Sequence, residues 1–175
     1  MMLSRLFFLL SLSLSLALAA ASFASAQRPD KDYLSTIEAD KIRDAETPNE
    51  RIVLFLTYAD DRLKKFQYEL DHPSPNKHTE LLNYFLNSYI GCVDDAADII
   101  QVGLDKQENI RQGIDLMATR AKEFLPVLQK YQAEGPELEI YKENLEDAIE
   151  GTQDAMNDAE KAKKKAAPPP VRRKN

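Results

Sequence analysis

Residues 51–70, RIVLFLTYADDRLKKFQYEL, place Ile52, Leu56, Ala59, Leu63, Phe66 and Leu70 at successive spacings of 4, 3, 4, 3 and 4. That rhythm puts all six on one stripe of an α-helix, and an apolar stripe requires other stripes to cover it. Three later segments supply them. The first carries Leu82, Leu86, Tyr89, Val93, Ala96, Ile100 and Gly103, and the second Ile110, Ile114, Met117, Ala121, Phe124, Leu128 and Tyr131. The third carries Leu138, Tyr141, Leu145, Ala148, Thr152, Ala155 and Ala159 in the same alternation of threes and fours. A second row on the first of these, Leu81, Phe85, Cys92 and Ile99, widens its apolar face and predicts that it is the most buried helix.

Breakers divide the stripes. Thr47-Pro48-Asn49-Glu50 has the residues of a capping box with proline at the first helical position, so a helix is expected to start there and to run to Asp71. His72-Pro73-Ser74-Pro75 ends it, and Ser74 as N-cap with Pro75 behind it predicts an immediate restart. Residues 105–109 lack apolar stripe positions and read as a turn. Pro126 lies inside a continuing stripe, which predicts a bend that frees the carbonyl of Lys122. Glu134-Gly135-Pro136 predicts a stop and restart, with Gly135 in the left-handed closing position and Pro136 in the next first turn. Ahead of all this, residues 28–46 read as a short helix that turns Tyr33, Leu34, Ile37, Ile42 and Ala45 towards the body.

The expected fold is therefore all-α: an up-down-up-down four-helix bundle with a short N-terminal lead-in helix and a disordered basic C-terminal tail from Ala166 onward. The 3.5-residue spacing predicts left-handed crossings near about +20°. An extended coiled-coil dimer is the second reading, disfavoured because breakers interrupt its seam every ~25–30 residues, whereas a coiled coil sustains its heptads.

The first 26 residues read as a targeting segment. Arg5 is a short charged head, residues 6–21 are an uncharged Leu/Ser/Ala run, and Ala24-Ser25-Ala26 offers small residues for cleavage. The expectation is an exported protein, periplasmic or extracellular, whose mature chain starts at Gln27 and has no membrane span. An uncleaved anchor is the alternative, since the run approaches the ~20 residues that cross a bilayer. The domain division is then 1–26, a helical domain over 27–165, and a tail over 166–175. With Cys92 as its one cysteine the chain forms no internal disulfide, and the stripe makes Cys92 a small core residue.

Charge is sharply divided. All 29 acidic residues lie at or before Glu160, while Lys161, Lys163, Lys164, Lys165, Arg172, Arg173 and Lys174 follow it. Residues 27–160 hold 15 basic against 29 acidic side chains, a net of −14. These seven cations are the candidate docking residues, with an anionic envelope surface or a protein as partner. A self-solubilising tail that folds back on the acidic body is the plainer reading. Nucleic acid is not expected, because the body repels phosphates and no aromatic platform accompanies the cluster.

No catalytic machinery is legible, and neither a cofactor nor a metal is expected. Glu69-Leu70-Asp71-His72 matches one Glu-x-x-His pair of a di-metal bundle, but His78 has no acid three residues before it and a second pair is missing. His72 and His78 flank the same turn and can approach one another, yet two ligands fall short of a site. Asp60 with Asp61, and Asp94 and Asp95 with Asp98, read as solvated, partly paired faces, with a divalent cation at Asp94 and Asp98 as the sharper alternative. A hairpin turning near Ser74 sets Arg51 level with Asp98. Haem attachment has no Cys-x-x-Cys-His, and only Met117 stands on a stripe as an axial ligand. The expected function is that of a non-enzymatic structural or interaction module. A ligand-binding bundle is the rival, with its pocket where the Pro126 bend and the small Ala118, Ala121 and Ala155 leave space.

Overall fold

The structure is a computed structural model and describes residues 33–166. The expected targeting segment, the first residues of the expected lead-in segment and the tail from Ala167 lie outside the described residues. Among the described residues the fold is all-α, with no strand. It consists of α1 (Thr36–Asp44), α2 (Pro48–Asp71), α3 (His78–Asp105), α4 (Arg111–Glu134), a single 3₁₀ turn (Leu138–Ile140) and α5 (Lys142–Lys165). No described helix is long and apolar enough to cross a membrane.

Two helix starts follow from side-chain chemistry. The Thr47 hydroxyl accepts from the Glu50 N–H at 3.2 Å, and the Glu50 carboxylate accepts from the N–H groups of Thr47 and Glu46. Ser35 and Glu38 make the same reciprocal box at α1, a start the sequence reading missed.

Three expected junctions differ. Ser74 does not cap α3, which begins at His78; its N–H and hydroxyl both donate to Glu69 instead, so the segment closes the preceding helix. Gly135 is extended (φ −68°), and the left-handed residue is Glu137 at φ 51°. Pro136 therefore does not open a helix: the chain passes through the 3₁₀ turn, and α5 starts only at Lys142. Ala166 also departs from expectation, since its N–H bonds the Ala162 carbonyl and its side chain packs on the core. α4 runs unbroken through Pro126.

The long helices pack through named pairs. Glu69 meets His78 where α2 gives way to α3, and Lys122 meets Glu160 as Lys163 meets Asp115 between α4 and α5. Asn49 bonds the Gly113 N–H and Asp60 pairs with Arg120, which ties α4 to α2. Asn83 meets Asn144 and Tyr89 meets Thr152, which ties α5 to α3. α3 and α4 follow one another in sequence but are not principal neighbours. Close approach is enforced at Gly113, where a Cβ would stand 2.4 Å from Ile52, and at Gly151, where it would stand 2.3 Å from Ile90.

α2 is the most buried helix, with 10 buried residues to 9 in the longer α3, which reverses the expectation. The reason is α1. α2 buries the expected stripe in the core and, beside it, Phe55, Tyr58, Arg62 and Glu69. α1 itself has no buried residue, and Ile37, expected to face the body, is 69% exposed. The core is continuous across all four long helices, and Phe66 sits at one end of it, edge-on to Tyr131 and Tyr141 at 5.4 and 5.2 Å between centroids. In its middle the Thr152 hydroxyl donates to the Ala148 carbonyl at 2.6 Å, so Tyr89 must be the donor in its 2.7 Å bond to Thr152.

Phe66→Ala is expected to cost about 3–5 kcal/mol, because it removes a fully buried ring and two aromatic contacts. Thr47→Ala should cost only ~1 kcal/mol through the lost cap. Urea unfolding followed by circular dichroism checks both, and similar costs would contradict this placement of the core.

Candidate functional site

The polar chemistry of the chain gathers in three places. The first lies under α1. Arg62 is 5% exposed and is held by Glu38 at 2.7 Å, by Asp61 and by the Tyr33 carbonyl at 3.2 Å. The Tyr33 hydroxyl in turn donates to Asp95, and the ring lies flat against Gly91, where a Cβ would come within 2.9 Å. A buried guanidinium is tolerated only when its donors are used; Glu38 of α1, Tyr33 ahead of α1 and Asp61 of α2 supply the acceptors. Burial alone raises the Glu38 carboxyl, but the Arg62 bond and the Ser35 donors outweigh it and hold it at about 2, against an ordinary 4.5. Burial, and then the Glu38 charge, push the Tyr58 hydroxyl up. Tyr58 and Ser88, on the same α2–α3 seam, each bury a hydroxyl oxygen that has no hydrogen bond among the described residues. Cys92 is fully buried there, as a core thiol should be.

The second place is the end of the molecule where α2 stops and α3 starts. Glu69 is 5% exposed and accepts from the Ser74 N–H (2.7 Å), the Ser74 hydroxyl (2.9 Å) and the His78 Nδ1 (2.9 Å). His78 Nε2 stands 3.0 Å from the carboxylate of Glu137 in the α4–α5 connection. The Glu-x-x-His pairing read from sequence is therefore not formed. Glu69 uses His78 and not His72, and His72 instead stacks on Tyr68 at 4.4 Å. The two histidines do not come together. Among the described residues no three His, Cys, Asp or Glu side chains converge as a metal-binding set.

The third place is the C-terminal turn of α5. Lys161 pairs with Asp158 at 2.8 Å, and Lys163 reaches Asp115 at 3.3 Å and Glu160 at 3.8 Å. Lys164 and Lys165 are exposed and make no ion pair among the described residues. Arg172, Arg173 and Lys174 lie outside the described residues. The Asp60–Asp61 face is paired as expected, with Lys64 at 2.7 Å, Lys65 at 2.8 Å and Arg120 at 3.2 Å. Arg51 does not reach Asp98; it donates to the Ala45 carbonyl and so closes the turn between α1 and α2.

An open cleft of about 580 Å³ lies over residues 75–80 and Asn83. Of the three alanines expected to leave space near Pro126, Ala118 and Ala121 are buried, each 1% exposed. Ala155 lines a shallow groove of about 180 Å³ between α3 and α5, with Ala97, Ile100, Leu104, Ala159 and Ala162 beside it and Asp98 and Asp158 at its rim. No protein-family model matches the chain, and no curated protein or solved structure matches it either.

The Arg62 cluster sets acid stability. Because the folded Glu38 value lies below its unfolded value, its contribution is complete above pH 4.5 and disappears as pH falls towards about 2. Glu38→Gln is expected to flatten the stability profile across that window, read from urea midpoints at each pH. Arg62→Ala, which strands the largely buried Glu38 without its cation while Asp61 keeps Lys65, should cost about 3 kcal/mol at neutral pH.

Proposed function

We propose that the protein is an exported, non-enzymatic module in which the four long helices form a bundle with up-down-up-down chain direction, and that its basic C-terminus docks it to an anionic envelope surface. The charge division carries this reading. A body of net −14 is solubilised and repelled by anionic surfaces, and the one segment of opposite sign stands at its end. The leader-like residues 1–26 supply the address, and periplasmic or extracellular space is where such a module would act.

Of the seven cations, Lys161 and Lys163 are engaged with acids of the body. Lys164 and Lys165 make no ion pair among the described residues, and on this reading they act together with Arg172, Arg173 and Lys174 of the tail sequence. At about 1 kcal/mol for each Lys or Arg near an anionic membrane, five give ~5 kcal/mol, a weak and reversible attachment that salt weakens. A binding module suits this scale. The second reading, a ligand-binding bundle, has the α3–α5 groove in its favour, although about 180 Å³ is small for a drug-sized ligand.

Sedimentation with vesicles containing phosphatidylserine tests the proposal. The chain starting at Gln27 should pellet with them at low salt and dissociate near ~0.5 M salt, where screening is short-ranged. The comparison should be cut after Ala166 and carry Lys164→Gln and Lys165→Gln; an earlier cut would remove the buried Ala162 from the core. It should stay in the supernatant. Equal binding by both chains, or binding by neither, would defeat tail docking.

A further inference from the structure

We propose that His78 is a proton-operated latch: as the imidazolium it ties the α4–α5 connection to the turn between α2 and α3, and as the neutral ring it releases that connection. The geometry demands it. Nδ1 lies 2.9 Å from a Glu69 oxygen and Nε2 lies 3.0 Å from a Glu137 oxygen. Ionised carboxylates only accept, so both ring nitrogens must carry protons for both bonds to exist. A neutral ring keeps one. Glu69 is buried and Glu137 is 59% exposed along its side chain, so the remaining proton stays on Nδ1 and the link to Glu137 is the one surrendered.

What that link holds is a strained segment. Glu137 adopts φ 51°, a left-handed conformation that side-chain-bearing residues rarely take. The connection is also held by the Tyr141 hydroxyl, which donates to the Pro136 carbonyl at 2.8 Å, and by Asn83, whose amide donates to the Ile140 carbonyl at 2.8 Å. The Ile140 N–H donates to the Glu137 carbonyl at 3.0 Å, and the His78 bond is the one that holds the Glu137 side chain. The charged groups around His78 all favour the imidazolium except one. α2 contributes Glu69, the connection contributes Glu137, and α3 itself brings Glu80 and the opposing Lys77 to the same shallow cleft. Tyr141, from the start of α5, is a neutral phenol throughout the relevant range, with its hydroxyl raised by burial. The Glu69 bond first, and the Glu137 bond after it, lift His78 above its ordinary 6.5. The stabilisation is therefore complete below pH 6.5 and is lost as pH rises through the higher folded value.

Amide hydrogen exchange on the chain starting at Gln27, from pH 5.5 to 9 and corrected for intrinsic rates, tests the latch. Residues 137–141 should lose about fivefold in protection across the His78 titration, the factor that a half-exposed ion pair supplies, while the amides of α2 and α3 hold theirs. Glu137→Ala, a surface change that removes the Nε2 partner and leaves the buried Glu69 network alone, should show the low protection at every pH. It should also bring the imidazole titration, followed by proton NMR, down from the wild-type value. His78→Gln should match the high-pH wild type. Protection that does not change with pH, an imidazole titrating at or below 6.5, or a Glu137→Ala chain that keeps the wild-type pH dependence would each overturn the latch.

Discussion

The burial of Arg62 constrains more of this structure than any apolar contact does. A guanidinium removed from water must have its donors answered, and neither α2 nor α3 has the acceptors to answer it alone. α1 is too short and too polar to hold itself together by propensity, and it buries no side chain of its own. It is held because Glu38 and the Tyr33 carbonyl reach the guanidinium and the Tyr33 hydroxyl reaches Asp95 on α3. The ion pair thus converts a marginal helix into the cover of a second buried face. That is why α2, sandwiched between α1 and the core, becomes the most buried element.

Much of the architecture was legible in the chain because it rests on local chemistry. The core stripes are periodic, the Thr47 box is a four-residue signal, and each depends on neighbours that sequence displays directly. What escaped depends on partners far along the chain. Arg62 and Glu69 belong to a row with Phe55 and Tyr58 at helical spacing, but their charge masked the row until Glu38, Ser74 and His78 were seen to receive them. Ser74 followed by proline resembles an N-cap, in which the hydroxyl would accept from a helix N–H, yet its hydroxyl and N–H both donate to the buried Glu69 carboxylate. Gly135 is the residue type that suits the left-handed position, whereas Glu137 takes it where a bond to His78 offsets the strain. At the candidate site, the sequence located both histidines and every cation but not their pairing. Of the four cations among the described residues, Lys161 and Lys163 pair with acids of the body.

The same physics separates structural polar groups from available ones. Arg62 and Glu69 are buried and answered by Glu38 and Ser74, so they stabilise and offer a partner nothing. The side chains of Lys164 and Lys165 are exposed and make no ion pair among the described residues at the last turn of α5. There the helix C-terminus favours cations, and the chain departs towards further positive charge.

The spread of contacts along the chain bears on how it assembles. α2 and α3 meet across a short connection, as Glu69 and His78 do, so closing that loop costs little entropy. Contacts that tie α2 to α4 and α3 to α5 join residues such as Asn49 and Gly113, or Tyr89 and Thr152, that stand 64 and 63 positions apart. Phe66, Tyr89 and their aromatic partners lie among these long-range contacts, which carry the larger entropy cost. Until they form, apolar stripes stay in water, and the chain is most exposed to aggregation at that stage.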